Sequence, residues 1–265
     1  MTIDRIVLLT VGWEDLPKSV SVHGASGAER LREPTPAVLV GDSEGWILLD
    51  TGFNTALVRD VALRRRFYPD ADYVPILPDE DEPLLSALDR VGVALDDVRA
   101  VALSHLHADH AGGLKHVAGR VPVHLQRREL EFGLSPRAEA DTAFRVDFDD
   151  PRIDWRLAEG DAQVASGVTA VATPGHTPGH QSFVVELSDR VGGGGYVFAF
   201  DAADLRDNIE RELAIGSFVD VTPEDTVTQI RRLKAIAAER GFALVPGHDP
   251  VVWPQLSREL GARFG

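Results

Sequence analysis

The sequence predicts an α/β domain, and three observations carry that prediction. Short apolar runs of strand length alternate with segments of helical period along its 265 residues. Four of those runs lead into a His or an Asp, and α/β sheets gather their functional residues at strand ends along one edge. The composition, 44% hydrophobic and 26% charged, is that of an ordinary globular chain. The length suits a single domain over 1–265.

The elements follow in order. Residues 3–11 form the first apolar segment. Residues 37–40 and 46–50 flank Gly41-Asp42-Ser43-Glu44-Gly45 and read as a hairpin. Asn54 is placed to cap a helix running through Phe67, and the Pro- and Asp-rich stretch 68–81 reads as loop. Pro83 and Gly92 frame a helix over 84–91. Residues 98–103, 169–172, 196–200 and 243–245 read as short buried strands. The best helix is 224–240: Thr222, Pro223 and Asp225 open it close to a capping box. Val227, Ile230, Leu233, Ile236 and Ala237 give it an apolar face, and Gly241 ends it. Gly192–Gly195 is a turn between two strands, and no helix follows it to make a phosphate cradle. The polar stretch 135–150, with Phe144, Val146 and Phe148 alternating, reads either as an insertion over a site or as a surface strand.

Charge and composition exclude several functions. A net charge of −15 repels phosphate backbones and anionic membranes, so neither nucleic acid nor a membrane is expected as partner. No apolar run approaches the roughly 20 residues that span a bilayer, and the N-terminus lacks a signal-peptide pattern; a cytoplasmic protein is expected. There are no cysteines, which removes disulfides, thiol catalysis and thiolate metal sites. Three lysines against 24 arginines suggest a GC-rich bacterial genome.

The nine histidines concentrate the chemistry. Three fall in Ser104-His105-Leu106-His107-Ala108-Asp109-His110, a pattern expected by chance in roughly one such chain in a thousand. His105 and His107 are two apart, so in an extended segment they point the same way and can share one metal. Asp109 and His110 are displaced by the following turn, which Gly112 and Gly113 are expected to permit, and can reach a second metal. His176, Asp201 and His248 each follow an apolar run. Five His and two Asp exceed the needs of one tetrahedral ion, so two metals are expected, zinc from the donor types, with Asp201 the best bridge.

The motif His105-x-His107-x-Asp109-His110, followed by His176, Asp201 and His248, resembles the metallo-β-lactamase superfamily, and within it the quorum-quenching N-acyl-homoserine lactone lactonases. The shared stretches include Leu49-Asp50-Thr51-Gly52, Thr173-Pro174-Gly175-His176-Thr177-Pro178-Gly179-His180 and Gly247-His248-Asp249. The resemblance implies a four-layer αβ/βα sandwich with a dinuclear site at one edge of the sheets. It implies one metal on His105, His107 and His176, another on Asp109, His110 and His248, and Asp201 between them. Asp50 resembles a residue that fixes ligand tautomers. His180 reads as structural, and His116 and His124 as ordinary surface or helix residues.

Two positions depart from the lactonase pattern. Asp204 stands where these enzymes carry a Tyr, three residues after the bridging Asp, and Ala108 stands where an aromatic residue is frequent; both are expected at the substrate pocket. The implied activity is hydrolysis of a small-molecule lactone or ester by water activated between two metals. Asp109 is the leading proton donor and Asp204 the second candidate. Asp204 could instead cap a helix over 205–211. The alternatives are another ester, thioester or amide hydrolase on the same scaffold, or a non-catalytic metal-binding domain. A monomer or homodimer is expected.

Overall fold

Period-two alternation in the long apolar runs decides the architecture, because it gives each strand two apolar faces to cover. A computed structural model describes residues 3–70 and 72–264; the parts of the expectations above that fall on 1, 2, 71 and 265 lie outside the described residues. β1 (Arg5–Pro17), β2 (Arg30–Asp42), β3 (Gly45–Leu49), β4 (Val74–Ile76), β5 (Val98–Ala102), β6 (Pro122–Gln126) and β7 (Asp154–Ala158) form a sheet in the order β4-β1-β2-β3-β5-β6-β7. β8 (Ala162–Ala165), β9 (Val168–Ala172), β10 (Gln181–Glu186), β11 (Gly195–Phe198) and β12 (Ala243–Val245) form a second, in the order β12-β11-β10-β9-β8.

The alternation sorts side chains between layers. Ile6, Leu8, Val38 and Val40 point inward and share a core with Val168, Ala170, Phe183 and Val185 of the second sheet. Leu9, Val11, Ala37 and Leu39 point outward and pack with Leu84, Ala87 and Leu88 of the helix Pro83–Arg90. On the far side, Val171, Val184 and Val197 meet Ile230, Leu233 and Ala237 of the helix Pro223–Arg240. Helices, sheet, sheet and helices therefore stack as four layers. Each large aliphatic side chain so buried contributes about 1.5–3 kcal/mol. No helix among the described residues is long and apolar enough to cross a membrane.

The topology also sets where the site lies. β9 and β11 both run antiparallel to β10, and β12 runs parallel to β11, so the C-terminal ends of β9, β11 and β12 leave the second sheet at one edge. β5 delivers the histidine motif from the first sheet, between its parallel neighbours β3 and β6.

Several local readings change. The helix expected over 54–67 is two, Thr55–Arg59 and Val61–Phe67. Asn54 caps the first, but Asp60 is extended and accepts from the backbone N–H of Ala62 and Leu63, which restarts the chain as a second helix. The 68–81 loop contains β4, paired with β1 from Trp13 to Asp15. The strand expected over 196–200 ends at Phe198, and Phe200 sits in a short turn at φ 48°. The surface strand considered for 135–150 is absent: the segment holds a turn over Ala138–Asp141 and a helix over Arg145–Phe148. Phe144 and Phe148 are buried and Val146 is exposed, because spacings of four share a helical face as readily as spacings of two share a strand face.

Candidate metal centre

After β5 the chain passes through Ser104 and His105 to His107, whose backbone is still extended (φ −64°, ψ 155°), and then turns once over Ala108–Ala111. The extended part presents His105 and His107 together; the turn carries Asp109 and His110 to the other side. Gly112 and Gly113 are required here for close approach rather than for a left-handed turn. A Cβ on Gly112 would lie 2.0 Å from the Asn54 backbone nitrogen, and one on Gly113 2.4 Å from the Thr51 carbonyl oxygen. Both glycines have negative φ, which corrects the expected reason for them.

The structure brings all seven expected donors together in two groups. His105, His107 and His176 form a nearly equilateral triangle, with ring centroids 4.5, 4.6 and 4.7 Å apart. Asp109, His110 and His248 form the second group, with Asp109 Oδ2 2.7 Å from His110 Nε2 and 4.0 Å from His248 Nε2. Asp201 stands between them and divides its oxygens. Oδ2 lies 3.3 Å from His176 Nε2 and 3.9 Å from His105 Nε2, while Oδ1 lies 3.2 Å from His110 Nε2 and 3.1 Å from His248 Nε2.

The outward nitrogens fix the tautomers. His176 Nδ1 and His248 Nδ1 lie 3.1 Å from the carbonyl oxygens of Ser217 and Pro34, which can only accept, so both carry their proton there. His110 Nδ1 donates to Asp50 Oδ2 at 2.7 Å. Ser104 Oγ donates to that same oxygen and is therefore free to accept from His105 Nδ1 at 2.9 Å. His107 is reversed: its Nε2 faces Asp141 Oδ2 at 3.5 Å and its Nδ1 faces His176 Nε2 at 2.9 Å. The inner edges converge on common points, and buried His105 Nε2 has no hydrogen-bond partner. Lone pairs converging this way call for a cation, and the mixed imidazole and carboxylate donors suit two divalent ions. Burial lowers the pKa of His105 far below the ordinary value and that of His176 to about 4, which keeps both in the neutral form that ligates, whereas Asp109 and Asp201 raise His110 and His248 against their burial, so a cation would displace a proton there.

Two buried carboxylates hold the loops. Asp50, at φ 59°, accepts from the Ser104 N–H as well as from the Ser104 hydroxyl and His110. Glu129 accepts from the Leu106 N–H with one oxygen and from the Thr177 hydroxyl and Gly179 N–H with the other, tying the histidine motif to the loop that bears His176. Of the remaining histidines, His180 is fully buried, 2.9 Å from the Thr173 hydroxyl through Nδ1 and outside both groups. His116 pairs with Glu82, and His124 lies on β6 rather than on a helix.

A cavity of about 190 Å³ opens on the two groups, lined among others by His107, Asp109, His176, Asp201 and His248. A larger cavity, about 450 Å³, lies by Gln126, Pro174 and His180 and holds none of the seven donors. Asp204 lines the smaller cavity and comes within 4.8 Å of the inner atoms of Asp201 and His248. It does not cap the following helix, Arg206–Arg211: the N-cap residue is Leu205, whose N–H binds Asn208, and the Arg206 N–H binds Asp249. Burial, reinforced by Asp201, raises its pKa far above the carboxylate range. Ala108 departs from expectation: it packs with Phe53, Leu57 and Phe144 and is not among the residues lining the cavity.

Glu14 on β1 and Glu33 on β2 also line this cavity, with Asp141 and Tyr73. Sequence reasoning missed them, together with Glu129, because single charged residues in strands and helices read as solvated. No local signal marks Glu14, which lies past the irregularity at Thr10/Gly12 and beyond the apolar run 3–11, with Asp15 beside it. Burial pushes Glu14 up to about 8 and Glu33 to about 7.

Comparison with known proteins follows the same lines. A profile of the metallo-β-lactamase superfamily matches residues 30–248. The chain is 30% identical over 249 residues to an N-acyl homoserine lactonase of Bacillus thuringiensis, covering 94% of each. It is 32% identical over 253 residues to the N-acyl homoserine lactonase AttM of Azorhizobium caulinodans, covering 92% of each. Its fold is similar to that of an N-acyl homoserine lactone hydrolase solved with the product N-hexanoyl-L-homoserine at its catalytic metal centre. The TM-score is 0.82 at 30% identity, with 94% and 95% of the two chains covered.

Proposed function

From the premise that this chain belongs to the metallo-β-lactamase superfamily and is a metal-dependent hydrolase, we propose that it is a dinuclear, zinc-dependent lactonase acting on an N-acyl-homoserine lactone or a related small lactone. The observation that carries the reading is the division of Asp201 between two groups of inward-facing lone pairs. The N-acyl homoserine lactonases, about 30% identical over most of the chain, supply the reaction class.

His105, His107 and His176 would hold one ion and Asp109, His110 and His248 the other, with Asp201 shared. When bound, the two ions supply a water of lowered pKa and polarise the substrate carbonyl. Ser104, Asp50, Asp141 and the carbonyls of Ser217 and Pro34 keep each imidazole oriented, so the donor set needs little rearrangement on binding. Asp109, at the cavity wall and held ionised by His110, is positioned to take up the proton lost by the attacking water and pass it to the leaving alkoxide, and Asp204, buried beside Asp201, is the second acid of the site.

Elemental analysis and hydrolysis of a panel of lactones, esters, thioesters and a β-lactam test this reading. The expected result is about two zinc equivalents per chain and lactone turnover that Asp201→Asn reduces by several orders of magnitude. A stoichiometry held at one after zinc reconstitution overturns the dinuclear reading. Preference for a thioester or an amide replaces the lactone and leaves the hydrolase standing.

A further inference from the structure

The two groups of donors rest on different supports. Asp50 fixes His110 directly and His105 through Ser104, so it serves both groups. Glu129, on the helix Arg127–Gly133, serves one. Its Oε1 accepts at 3.0 Å from the Leu106 N–H, in the peptide that leaves His105 for His107. Its Oε2 accepts from the Thr177 hydroxyl at 2.7 Å and the Gly179 N–H at 3.0 Å, in the turn that follows His176. Close packing brings the helix against both segments. A Cβ on Gly179 would lie 2.2 Å from the Glu129 backbone nitrogen, and one on Gly133 2.6 Å from the Leu106 side chain. The other group is held elsewhere, His110 by Asp50 and His248 by the Pro34 carbonyl. Among the described residues, Glu129 makes no hydrogen bond to any of the seven donors; it touches only the residues beside them.

The position also demands a carboxyl. A carboxyl oxygen accepts a hydrogen bond whether or not the group carries a proton, whereas an amide NH₂ can only donate. A Gln here would turn its NH₂ against a backbone N–H in either orientation, that of Leu106 in one and that of Gly179 in the other. Its shape would be kept and one of the two segments released.

We propose that Glu129 is a positioning residue for one ion only: it sets the affinity of the group His105, His107 and His176 and leaves that of Asp109, His110 and His248 to other supports. The inference rests on the dinuclear reading and divides that centre into halves of separately adjustable strength.

The test uses the full-length protein. Zinc titration against a chromophoric chelator gives two affinities. NMR of the cadmium-substituted protein with nitrogen-labelled histidines tells the ions apart, since one couples to three imidazoles and the other to two. In Glu129→Gln the three-imidazole ion should be held about 10–100-fold more weakly, the range for residues that orient metal ligands, and the two-imidazole ion within threefold of its original affinity. Thr177→Val removes one donor to Glu129 at nearly constant shape. It should weaken the same ion by a smaller factor, at least threefold, and it decides the matter if Glu129→Gln does not fold. Asp50→Asn, whose contacts reach both groups, should weaken both ions. Equal weakening of the two ions by Glu129→Gln or Thr177→Val, or no change in either, overturns the inference and leaves the dinuclear reading intact. Uptake of a single ion by the unsubstituted protein overturns the dinuclear reading and this inference with it.

Discussion

Asp50 collects three donors on two oxygens: the Ser104 N–H, the Ser104 hydroxyl and His110 Nδ1. Replacing it with Asn keeps the shape but puts an NH₂ where an acceptor is needed, so His110 and, through Ser104, His105 lose their enforced tautomer. Asp50→Asn should weaken zinc retention by about 10–100-fold, measured by competition with a chromophoric chelator, while the fold survives. Asp147 allows a different test. It is buried against Asn54, which donates to it at 2.7 Å, and burial raises its pKa to about 7. A raised carboxyl stabilises the fold fully below its ordinary 3.8, and that stability is lost as pH rises through about 7. Asp147→Asn should therefore flatten the fall in Tm between pH 5 and 8 and raise Tm at pH 8, an effect of roughly a few kcal/mol. Asp50 was legible because Leu-Asp-Thr-Gly closes a strand and resembles a known turn. Glu14, Glu33 and Glu129 were not, since nothing local distinguishes a buried carboxylate whose partners lie far away in sequence.

At the scale of elements, caps and close approaches carry the precision. The helix Pro223–Arg240 opens with a reciprocal box, Thr222 Oγ1 accepting from the Asp225 N–H at 3.3 Å and Asp225 Oδ2 accepting from the Thr222 N–H at 2.8 Å. Thr222→Ala should cost about 1 kcal/mol, seen as a Tm lowered by roughly 2–4 °C with activity retained. Gly113→Ala should do worse: its Cβ would meet the backbone of Thr51, whose N–H donates to the His110 carbonyl, so stability should fall by about 1–3 kcal/mol and metal retention with it. The capped helix was readable because its signals are local. The break at Asp60 was missed because Asn54 offers a plausible cap earlier, and nothing nearby says that a second cap overrides it. The helix at Arg145–Phe148 escaped the sequence reading because the alternation of 144, 146 and 148 points to a strand, whereas only 144 and 148 share a helical face.

On the scale of the whole molecule, period two told which residues face inward but not which strands lie side by side. The partition into sheets of seven and five strands was therefore implied by resemblance rather than read from spacing. That partition sends four donors, His105 to His110, from the first sheet and three, His176, Asp201 and His248, from the second. Ions held there would join the two sheets at one edge, and removing them should lower Tm, with a loss of stability that grows with the logarithm of the zinc concentration used as reference, about 4 kcal/mol at a thousandfold excess over Kd. The chain has no cysteine, yet a loaded centre closes a loop from His105 to His248 as a disulfide would. Loaded with zinc, as proposed, this staple has no redox potential. Reductants and oxidants that dismantle disulfide-bonded folds should leave it untouched, while acid strong enough to protonate its imidazoles, or a competing chelator, should open it reversibly.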